Sequence, residues 1–367
     1  MSTTVGTLDA ILKKAIEVGA SDVHIGAGGS YRMRIRGQMT PVNGTGPLTP
    51  QDTAAIARHI LLAAKKASPD SIDTVLHGLK DLDCSYSLQD IGRFRVNICS
   101  QRGSLAVVLR NIPVGVPDFN QLGLPPVLET ISMEDRGLVL LTGVTGSGKS
   151  STLAAMVGYV NRQRAGKVVT IEDPIEFLHK DQKSIIIQRE LGTDTETFAD
   201  ALRAALRQDP DIIMVGEMRD RATIDVALKA AETGHLVFST VHTTDALKTI
   251  TRLVSVFDAA EQQPTRLRLA ETLKAVISQR LLPRKDGKGR VVAVEILRNT
   301  PTIAECIANQ EKTAEIKDYI EEGRDQYGMQ TFDQHLMELF KKEQISQKTA
   351  MAAATSPGDF ERNLQFQ

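Results

Sequence analysis

A phosphate-binding loop constrains this chain more than any other feature. The segment Gly143-Val-Thr-Gly-Ser-Gly-Lys-Ser150 matches G-x-x-x-x-G-K-[ST] and stands between an apolar strand-like run and a helical one. A chance match in a chain of ordinary composition is on the order of one per cent, and a flexible Gly/Ser turn is the plain alternative. The sequence therefore predicts a nucleotide site, with Ser150 ligating Mg²⁺, formed by Gly143, Thr145, Gly146, Ser147, Gly148, Lys149, Ser150 and Ser151.

The patterns of strands and helices divide the chain into four regions. Residues 1–110 mix helices with short alternating strands, which is typical of a small α+β domain with an antiparallel sheet. The stretch 111–126 is rich in Pro and Gly and is predicted to be a linker. In 127–300, apolar strands alternate with helices, which predicts an α/β domain whose parallel sheet ends in a hairpin around Asp286–Gly289. Residues 301–367 predict short amphipathic helices.

Acidic residues follow two of the apolar strands in the third region. The run KVVTIEDPIE carries Glu172, Asp173 and Glu176 at a strand's carboxyl end, where parallel sheets bind ligands. A carboxylate there can orient or deprotonate an attacking water, whereas a solvated acidic turn is the alternative. The run DIIMVGE ends in Glu217, which suits a Walker B acid that reaches Mg²⁺ through water. Asp211 is less suited to the Walker B role because it precedes the apolar strand.

Two histidines bracket the next predicted strand. His235 and His242 flank the run LVFSTV, and a zinc site is disfavoured because no third ligand stands at a suitable spacing. Next to a phosphate-binding loop, such histidines are candidates for sensing the γ-phosphate. We therefore expect a catalytic role for both, with His242 the better placed because it follows the strand.

Composition excludes several classes of protein. Formal net charge is −1, aromatic residues make up 4% and Trp is missing, which disfavours a surface for nucleic acid. Three cysteines without a C-x-x-C pair indicate a reducing compartment. The first residues, MSTTVGTLDAILKKAIEV, predict an amphipathic helix with Leu8, Ile11, Leu12, Ala15 and Ile16 on one face, and not a signal peptide. A cytoplasmic location is expected.

Four motifs in this order resemble the type II/type IV secretion ATPase superfamily. They are the Walker A loop, an Asp box (TIEDPIEF), a Walker B box (DPDIIMVGEMRD) and a His box (TGHLVFSTVHTTDA). The segments SDVHI, RIRG, GRFRVN and LRNIP near the N-terminus are also similar to that family. Within the superfamily, the chain resembles the pilus retraction ATPases of the PilT/PilU type.

The resemblance implies a fold, an assembly and several residue roles. A PAS-like N-terminal domain would precede a RecA-like P-loop ATPase domain, and six subunits would form a ring that binds ATP and Mg²⁺. Glu172 would be the water-activating base and Glu217 the Walker B acid. Three arginines of the N-terminal region would approach the phosphates and stabilise their charge: Arg93, Arg95 and Arg110.

Two departures from related ATPases refine the expectation. Assembly-type members carry an additional N-terminal domain and a tetracysteine zinc module, which are not recognisable in this sequence, so the retraction type is favoured. Retraction ATPases of the PilT type usually contain the helix A-I-R-N-L-I-R-E. The corresponding stretch Thr302–Asn309 reads TIAECIAN and lacks both arginines. The tail segments Gly328–Gln334 and Ser356–Phe360 are more similar to the PilU type.

Three functional hypotheses follow. The first is a cytoplasmic homo-hexameric ATPase motor that drives type IV pilus retraction and twitching motility, peripheral at the inner membrane through a PilC-like platform protein. The alternative is a PilU-like accessory ATP-binding subunit that acts with a paralogous retraction ATPase ring. A RecA-type nucleic-acid translocase is a remote third reading, because the balanced charge predicts no nucleic acid partner.

Overall fold

The computed structural model describes residues 3–89, 91–112 and 115–365. The chain forms two compact units, one ending at Gly115 and the other beginning at Val116. Within the described ranges, no helix combines the length and the apolar character that crossing a bilayer requires.

The first unit contains a six-stranded sheet and three helices. In chain order its elements are α1 (Thr3–Glu17), β1 (Ala20–Gly26), β2 (Arg32–Ile35), β3 (Gln38–Pro41), α2 (Pro50–Ala63), α3 (Ile72–Gly78), β4 (Asp81–Leu88), β5 (Gly92–Gln101) and β6 (Ser104–Ile112). The strands are ordered β3-β2-β1-β6-β5-β4, and every pairing is antiparallel. The antiparallel sheet that the alternating pattern predicted is therefore present.

Helix α1 forms because its apolar residues recur at helical spacing and pack into the core of the first unit. Leu8, Ile11, Leu12 and Ala15 are buried, and Ile16 packs partly against the same cluster. Full burial of a leucine side chain contributes about 1.5–3 kcal/mol. The predicted apolar face is therefore the face that the helix buries.

The second unit contains a seven-stranded sheet and the remaining helices. Its elements are α4 (Phe119–Leu122), α5 (Val127–Ser132), β7 (Gly137–Thr142), α6 (Lys149–Gln163), β8 (Lys167–Glu172), β9 (Ile185–Glu190), α7 (Phe198–Ala205), β10 (Ile212–Val215), α8 (Arg221–Glu232), β11 (Leu236–Val241), α9 (Ala246–Ser255), α10 (Ala259–Thr272), β12 (Leu273–Pro283), β13 (Arg290–Arg298), α11 (Pro301–Ala308), a 3-10 helix (Gln310–Glu315), α12 (Ile316–Glu322), α13 (Arg324–Tyr327), α14 (Phe332–Lys341), α15 (Gln347–Ala353) and α16 (Pro357–Gln365).

The sheet of the second unit is parallel except at one edge. Its strand order is β13-β12-β7-β11-β10-β8-β9, and only β13 runs antiparallel to its neighbour. Every residue of β7, β10 and β11 is buried, because helices cover both faces of the sheet. The carboxyl ends of the parallel strands therefore meet at one edge of the sheet, where the loops that carry the motifs begin.

Strand β9 was not predicted from the sequence. Its residues, IIIQRE, pair in parallel register with β8 and form the outer strand of the sheet. Three apolar residues followed by three polar ones show neither alternation nor a continuous apolar run. The strand is therefore specified by pairing with β8, and Ile185 remains 58% exposed at its outer end.

The stretch predicted as a linker, 111–126, contains the end of a strand and a short helix. Strand β6 extends through Ile112, and helix α4 begins at Phe119. Asp118 starts that helix because its side chain accepts the backbone N–H of Gln121 in a capping box. Pro113 and Val114 lie outside the described residues.

The C-terminal helices pack against the hairpin formed by β12 and β13. The ring of Phe332, at the start of α14, is 1% exposed, and the Arg280 guanidinium of β12 lies 3.8 Å above its centroid. Leu336 and Leu339 of the same helix complete the cluster with the hairpin residues Leu282 and Val291. The predicted helical region is thus anchored to the hairpin through an apolar cluster to which Phe332 contributes a fully buried ring.

We expect Phe332→Ala to destabilise the protein strongly. Removing a buried phenyl ring leaves a cavity and costs about 3–5 kcal/mol of unfolding free energy. Denaturant unfolding followed by circular dichroism measures the change. Tyr327→Ala is the matched control, because Tyr327 is 37% exposed, and we expect a cost of about 0.5 kcal/mol or less. Equal losses in the two variants would contradict the anchoring role of Phe332.

Candidate nucleotide-binding site

The phosphate-binding loop connects the end of β7 to the start of α6. Gly143, Gly146 and Gly148 adopt φ values of 144°, 78° and 96°, which residues with a Cβ rarely adopt. A Cβ at Gly143 would also lie 2.4 Å from the Ser147 hydroxyl oxygen and 2.6 Å from the backbone oxygen of Gln279. The glycines are therefore required by the shape of the loop, which leads directly into the N-terminus of a 15-residue helix.

Lys149 is folded back into the loop. Its Nζ donates hydrogen bonds to the backbone oxygens of Gly143 at 2.8 Å and Val144 at 3.1 Å. Burial lowers the pKa of Lys149, and the nearby carboxylates of Glu176 and Glu217 act in the opposite direction. An ammonium group that is buried against backbone carbonyls at a helix N-terminus is poised to contact an anion.

The remaining predicted loop residues differ in exposure. Thr145 and Gly146 are exposed, whereas Ser150 and Ser151 are half-buried in the first turn of α6. The Ser147 hydroxyl is buried and has no hydrogen-bond partner among the residues that the structure describes. The loop therefore presents a buried hydroxyl, that of Ser147, whose hydrogen-bonding capacity is not used by the described residues.

Glu217 follows β10 at the carboxyl edge of the sheet. Its Oε2 lies 2.7 Å from Nε of Arg219 and 3.4 Å from Nε2 of His242, and its side chain is 17% exposed. Asp211, at the other end of β10, accepts the backbone N–H of Lys167 and lies away from the loop. The structure thus pairs Glu217 with His242, as expected of residues at the ends of neighbouring strands.

His242 follows β11, which lies between β7 and β10. Burial lowers the pKa of His242, the positive charge of Lys149 lowers it further, and Glu217 opposes the shift. The lowered pKa favours the neutral imidazole, which can donate or accept a hydrogen bond. His242 thus lies at the carboxyl edge of the sheet, between the end of β7, where the phosphate-binding loop begins, and the end of β10, which Glu217 follows. This position fits the predicted role of sensing the γ-phosphate.

The position of His235 does not favour the catalytic role predicted for it, which stays a prediction. His235 precedes β11, and its backbone oxygen accepts the N–H of Gly137, the first residue of β7. Its Nδ1 lies 3.0 Å from the backbone oxygen of Ala230 at the end of α8. A six-residue strand separates the two histidines, which is roughly 20 Å. His235 therefore lies at the opposite edge of the sheet from the phosphate-binding loop.

Glu172 ends β8 and is 8% exposed. Its Oε1 accepts hydrogen bonds from the Thr170 hydroxyl at 2.6 Å and from the Gln188 amide at 3.1 Å. Burial raises the pKa of Glu172, and these two hydrogen bonds partly offset the shift. Asp173 and Glu176, the other acids of this segment, are exposed. Glu172 is therefore a fixed carboxylate with raised basicity at the carboxyl edge of the sheet.

The three candidate arginines belong to the first unit. Arg95 of β5 and Arg110 of β6 are directly opposite each other, and Nε of Arg110 donates to Asp22 at 2.9 Å. Arg93 donates to the Ser87 hydroxyl at 3.0 Å, and Arg95 is exposed. All three lie on strands of the antiparallel sheet, and their role toward phosphates stays a prediction.

Sequence reasoning missed the contribution of β12 to the loop. Gln279 is 1% exposed, and its amide donates to the hydroxyl of Thr152 on α6 at 2.8 Å. One register position earlier, the hydroxyls of Ser278 and Thr142 are hydrogen-bonded at 3.0 Å. These partners are more than 100 residues apart in sequence. No local pattern identifies such pairs, because they arise from the pairing of β12 with β7.

Known proteins are similar to this chain over nearly its whole length. A family model described as type II/IV secretion system protein matches residues 2–354. Two Pseudomonas aeruginosa proteins align over 351 residues, 95% of this chain: the type IV pilus retraction ATPase PilT is 44% identical, with 98% of its length covered, and the type IV pilus ATPase PilU is 38% identical, with 89% covered. A twitching motility protein of Neisseria gonorrhoeae is 48% identical over 75% of this chain and 73% of its own length.

Solved structures give the same result for the fold. The crystal structure of the pilus retraction motor PilT with bound ADP has a TM-score of 0.86 and 42% identity, covering 97% of this chain and 99% of that one. The Legionella pneumophila ATPase DotB has a TM-score of 0.81 and 29% identity, with 95% of each chain covered. The α/β architecture of sheets and helices is shared with these ATPases. Since the family model spans almost all of the sequence, the chain belongs to the type II/IV secretion system protein family.

Proposed function

We propose that this chain is an ATPase motor subunit that powers retraction of type IV pili and thereby twitching motility. One observation carries the proposal: the phosphate-binding loop, Glu172, Glu217 and His242 all follow strands at the carboxyl edge of one parallel sheet. The similarity to PilT, at 44% identity, supports the retraction activity. The ADP in the related PilT structure supports an adenine nucleotide as the ligand.

The proposed reaction is attack of water on the γ-phosphorus of ATP. The backbone N–H groups of the loop and Lys149 bind the phosphates, and the carboxylate of Glu172 accepts the proton of the attacking water. The new bond joins the water oxygen to phosphorus, the bond to the β-phosphate oxygen breaks, and ADP and phosphate leave. His242, held beside Glu217, supplies a neutral hydrogen-bonding group near the γ-phosphate.

Mg²⁺ fits the donors that the loop offers. The Ser150 hydroxyl makes no hydrogen bond to another residue in 3–89, 91–112 or 115–365. In those ranges no group of three or more His, Cys, Asp or Glu side chains could hold a metal ion without the nucleotide. When bound with ATP, Mg²⁺ would neutralise phosphate charge, with Ser150 as its direct ligand and Glu217 holding one of its waters.

The finer architecture and the assembly are part of the proposal. The parallel core around β7 supports a RecA-like ATPase domain, and the antiparallel sheet with α1 and α2 supports a PAS-like first domain. By analogy with the retraction ATPases, six copies would form a ring at the cytoplasmic side of the inner membrane. A PilC-like platform protein would receive its motion. Arg93, Arg95 and Arg110 would then stabilise phosphate charge.

A second candidate function is an accessory subunit that works with a partner ring. Helix α11 carries Ala304 and Ala308 where the PilT-type motif has arginines, and both alanines are half-buried. The exposed Glu305 between them forms an ion pair with Lys312. The similarity to PilU, at 38% identity, supports this reading. It predicts nucleotide binding with little turnover by the protein alone.

Steady-state hydrolysis by the purified full-length protein tests the proposal. We expect ATP turnover that is lost when EDTA removes Mg²⁺, and a native mass of about 240 kDa for six chains of 40.0 kDa. Nucleotide binding without turnover, restored by a companion retraction ATPase, would support the accessory function instead. Stimulation by double-stranded DNA would contradict both and favour a nucleic-acid translocase. Absence of nucleotide binding would overturn the proposal as a whole.

A further inference from the structure

A row of polar side chains crosses the sheet one residue before the phosphate-binding loop. Thr142 of β7 is in register with Ser278 of β12, which is directly opposite Glu295 of β13. On the other side of Thr142 lies Val241, the last residue of β11. The next residues along β7 and β11 are Gly143, which opens the loop, and His242.

Hydrogen bonds run along this row and end on one carboxylate oxygen. The Thr142 hydroxyl donates to the Ser278 hydroxyl at 3.0 Å, and the Ser278 hydroxyl donates to Oε1 of Glu295 at 3.2 Å. The backbone N–H of Ala246 donates to the same Oε1 at 2.8 Å. Thr142 and Ser278 are fully buried and Glu295 is 8% exposed, so water competes little for these bonds.

The contact with Ala246 fixes the far end of the His242 loop. Ala246 is the first residue of α9, and Asp245 is its N-cap. The loop from His242 to Asp245 is therefore held at both ends: Val241 is paired to Thr142 in the sheet, and Ala246 is bonded to Glu295. His242 is the first residue of this short span, so the position of its ring depends on both anchors.

Burial of the Glu295 carboxylate costs free energy unless hydrogen bonds replace its lost hydration. Burial raises the pKa of Glu295, Asp245 nearby raises it further, and the hydrogen bonds from Ala246 and Ser278 offset part of the shift. Its neighbours in β13 are apolar and buried, so packing alone would favour an apolar side chain here. The carboxylate, unlike an apolar side chain, accepts hydrogen bonds from the N-terminus of a helix and from a neighbouring strand at the same time.

We propose that Glu295 is a positioning residue: it holds the loop that begins at His242 against the sheet and connects it, through Ser278, to Thr142 at the entrance of the phosphate-binding loop. The inference rests on the proposed function in one respect, that His242 acts near the γ-phosphate. Glu295 itself touches no reacting atom. It keeps His242 beside Glu217 and gives the two loops a common anchor.

Kinetics of Glu295→Ala and Glu295→Gln test the role. We expect Glu295→Ala to lower kcat roughly tenfold while KM for ATP changes less than about threefold, because a displaced His242 affects turnover more than binding. Glu295→Gln should retain kcat within about threefold, since its amide oxygen still accepts both hydrogen bonds. Gln330→Ala is the matched control: Gln330 is equally buried and donates to Val294 of the same strand, and its loss should leave kcat unchanged.

A double-mutant cycle separates positioning from general destabilisation. In a His242→Ala background, Glu295→Ala should lower kcat by less than about twofold, because the residue it positions is already missing. Full multiplication of the two effects would overturn the proposal. So would a Gln330→Ala variant that loses as much activity as Glu295→Ala.

A readout that does not need turnover distinguishes this inference from the proposed function. The chain has seven histidines, and in protein carrying ¹³Cε1-labelled histidine the His242 resonance is identified by its loss in His242→Ala. We expect this resonance to shift in Glu295→Ala and to stay in place in Gln330→Ala. Should Glu295→Ala fail to fold, Ser278→Ala removes one of the two hydrogen bonds to Oε1 and should produce a smaller shift. A His242 resonance that is unchanged in Glu295→Ala would overturn the positioning role, even if the protein is an active ATPase. A shifted resonance in a protein without turnover would support the positioning role and contradict the proposed function.

Discussion

Lys149→Ala is expected to weaken nucleotide binding and to reduce ATP turnover by at least about 100-fold. A positioned cation that stabilises charge developing on a phosphate is worth about 10²–10³ in rate. The Nζ of Lys149 lies inside the loop, on the backbone oxygens of Gly143 and Val144, so no other described lysine shares its position. Titration with a fluorescent ATP analogue measures binding, and phosphate release measures turnover.

Lys167→Ala is the matched control for this variant. Its Nζ also donates to a backbone oxygen, that of Gln208, but Lys167 begins β8 at the opposite edge of the sheet from the loop. We expect binding and turnover within about twofold of the wild type, as for ordinary surface substitutions. If both lysine variants lost activity equally, the effect would come from destabilisation of the sheet. Full activity of Lys149→Ala would exclude the loop as the phosphate site.

Much of the site was predictable because its residues follow a local rule. An apolar strand followed by a glycine-rich loop, or by an acid, identifies Lys149, Glu172 and Glu217 without knowledge of the strand order. The strand order is then what brings them to one edge, since all their strands run parallel. For the same reason His235 lies apart from them: it precedes its strand, and the two ends of a strand lie at opposite edges of the sheet.

Other parts of the structure could not be predicted because they depend on distant pairing. Strand β9 lacks a clear pattern and is defined by its register with β8. The contacts of Ser278 and Glu295 depend on the order β13-β12-β7, which brings residues from the end of the domain beside the loop. The sequence identified this hairpin but carried no signal for the strand that it joins.

Glu172→Gln should abolish turnover while leaving nucleotide binding nearly unchanged. Glutamine has the same shape and can still accept the hydrogen bonds from Thr170 and Gln188, but it cannot take a proton from water. Loss of a general base costs about 10²–10⁴ in rate, so we expect kcat to fall at least about 100-fold. The dissociation constant for ATP should stay within about threefold of the wild type. Single-turnover hydrolysis and equilibrium binding measure the two quantities separately.

Two neighbouring acids make this prediction specific to Glu172. Glu190, its register partner on β9, is also buried, and its carboxylate accepts the backbone N–H of Ile175. Glu190→Gln can keep that bond, so turnover within about threefold of the wild type is expected. Glu176 is exposed, but its carboxylate is close enough to Lys149 to oppose the lowering of the lysine pKa by burial, which makes Glu176 the competing candidate for the base. If Glu176→Gln lost nearly all turnover while Glu172→Gln remained active, the role of the base would pass to Glu176. The reason is that the general base must accept a proton, which a carboxylate can do and the amide of glutamine cannot.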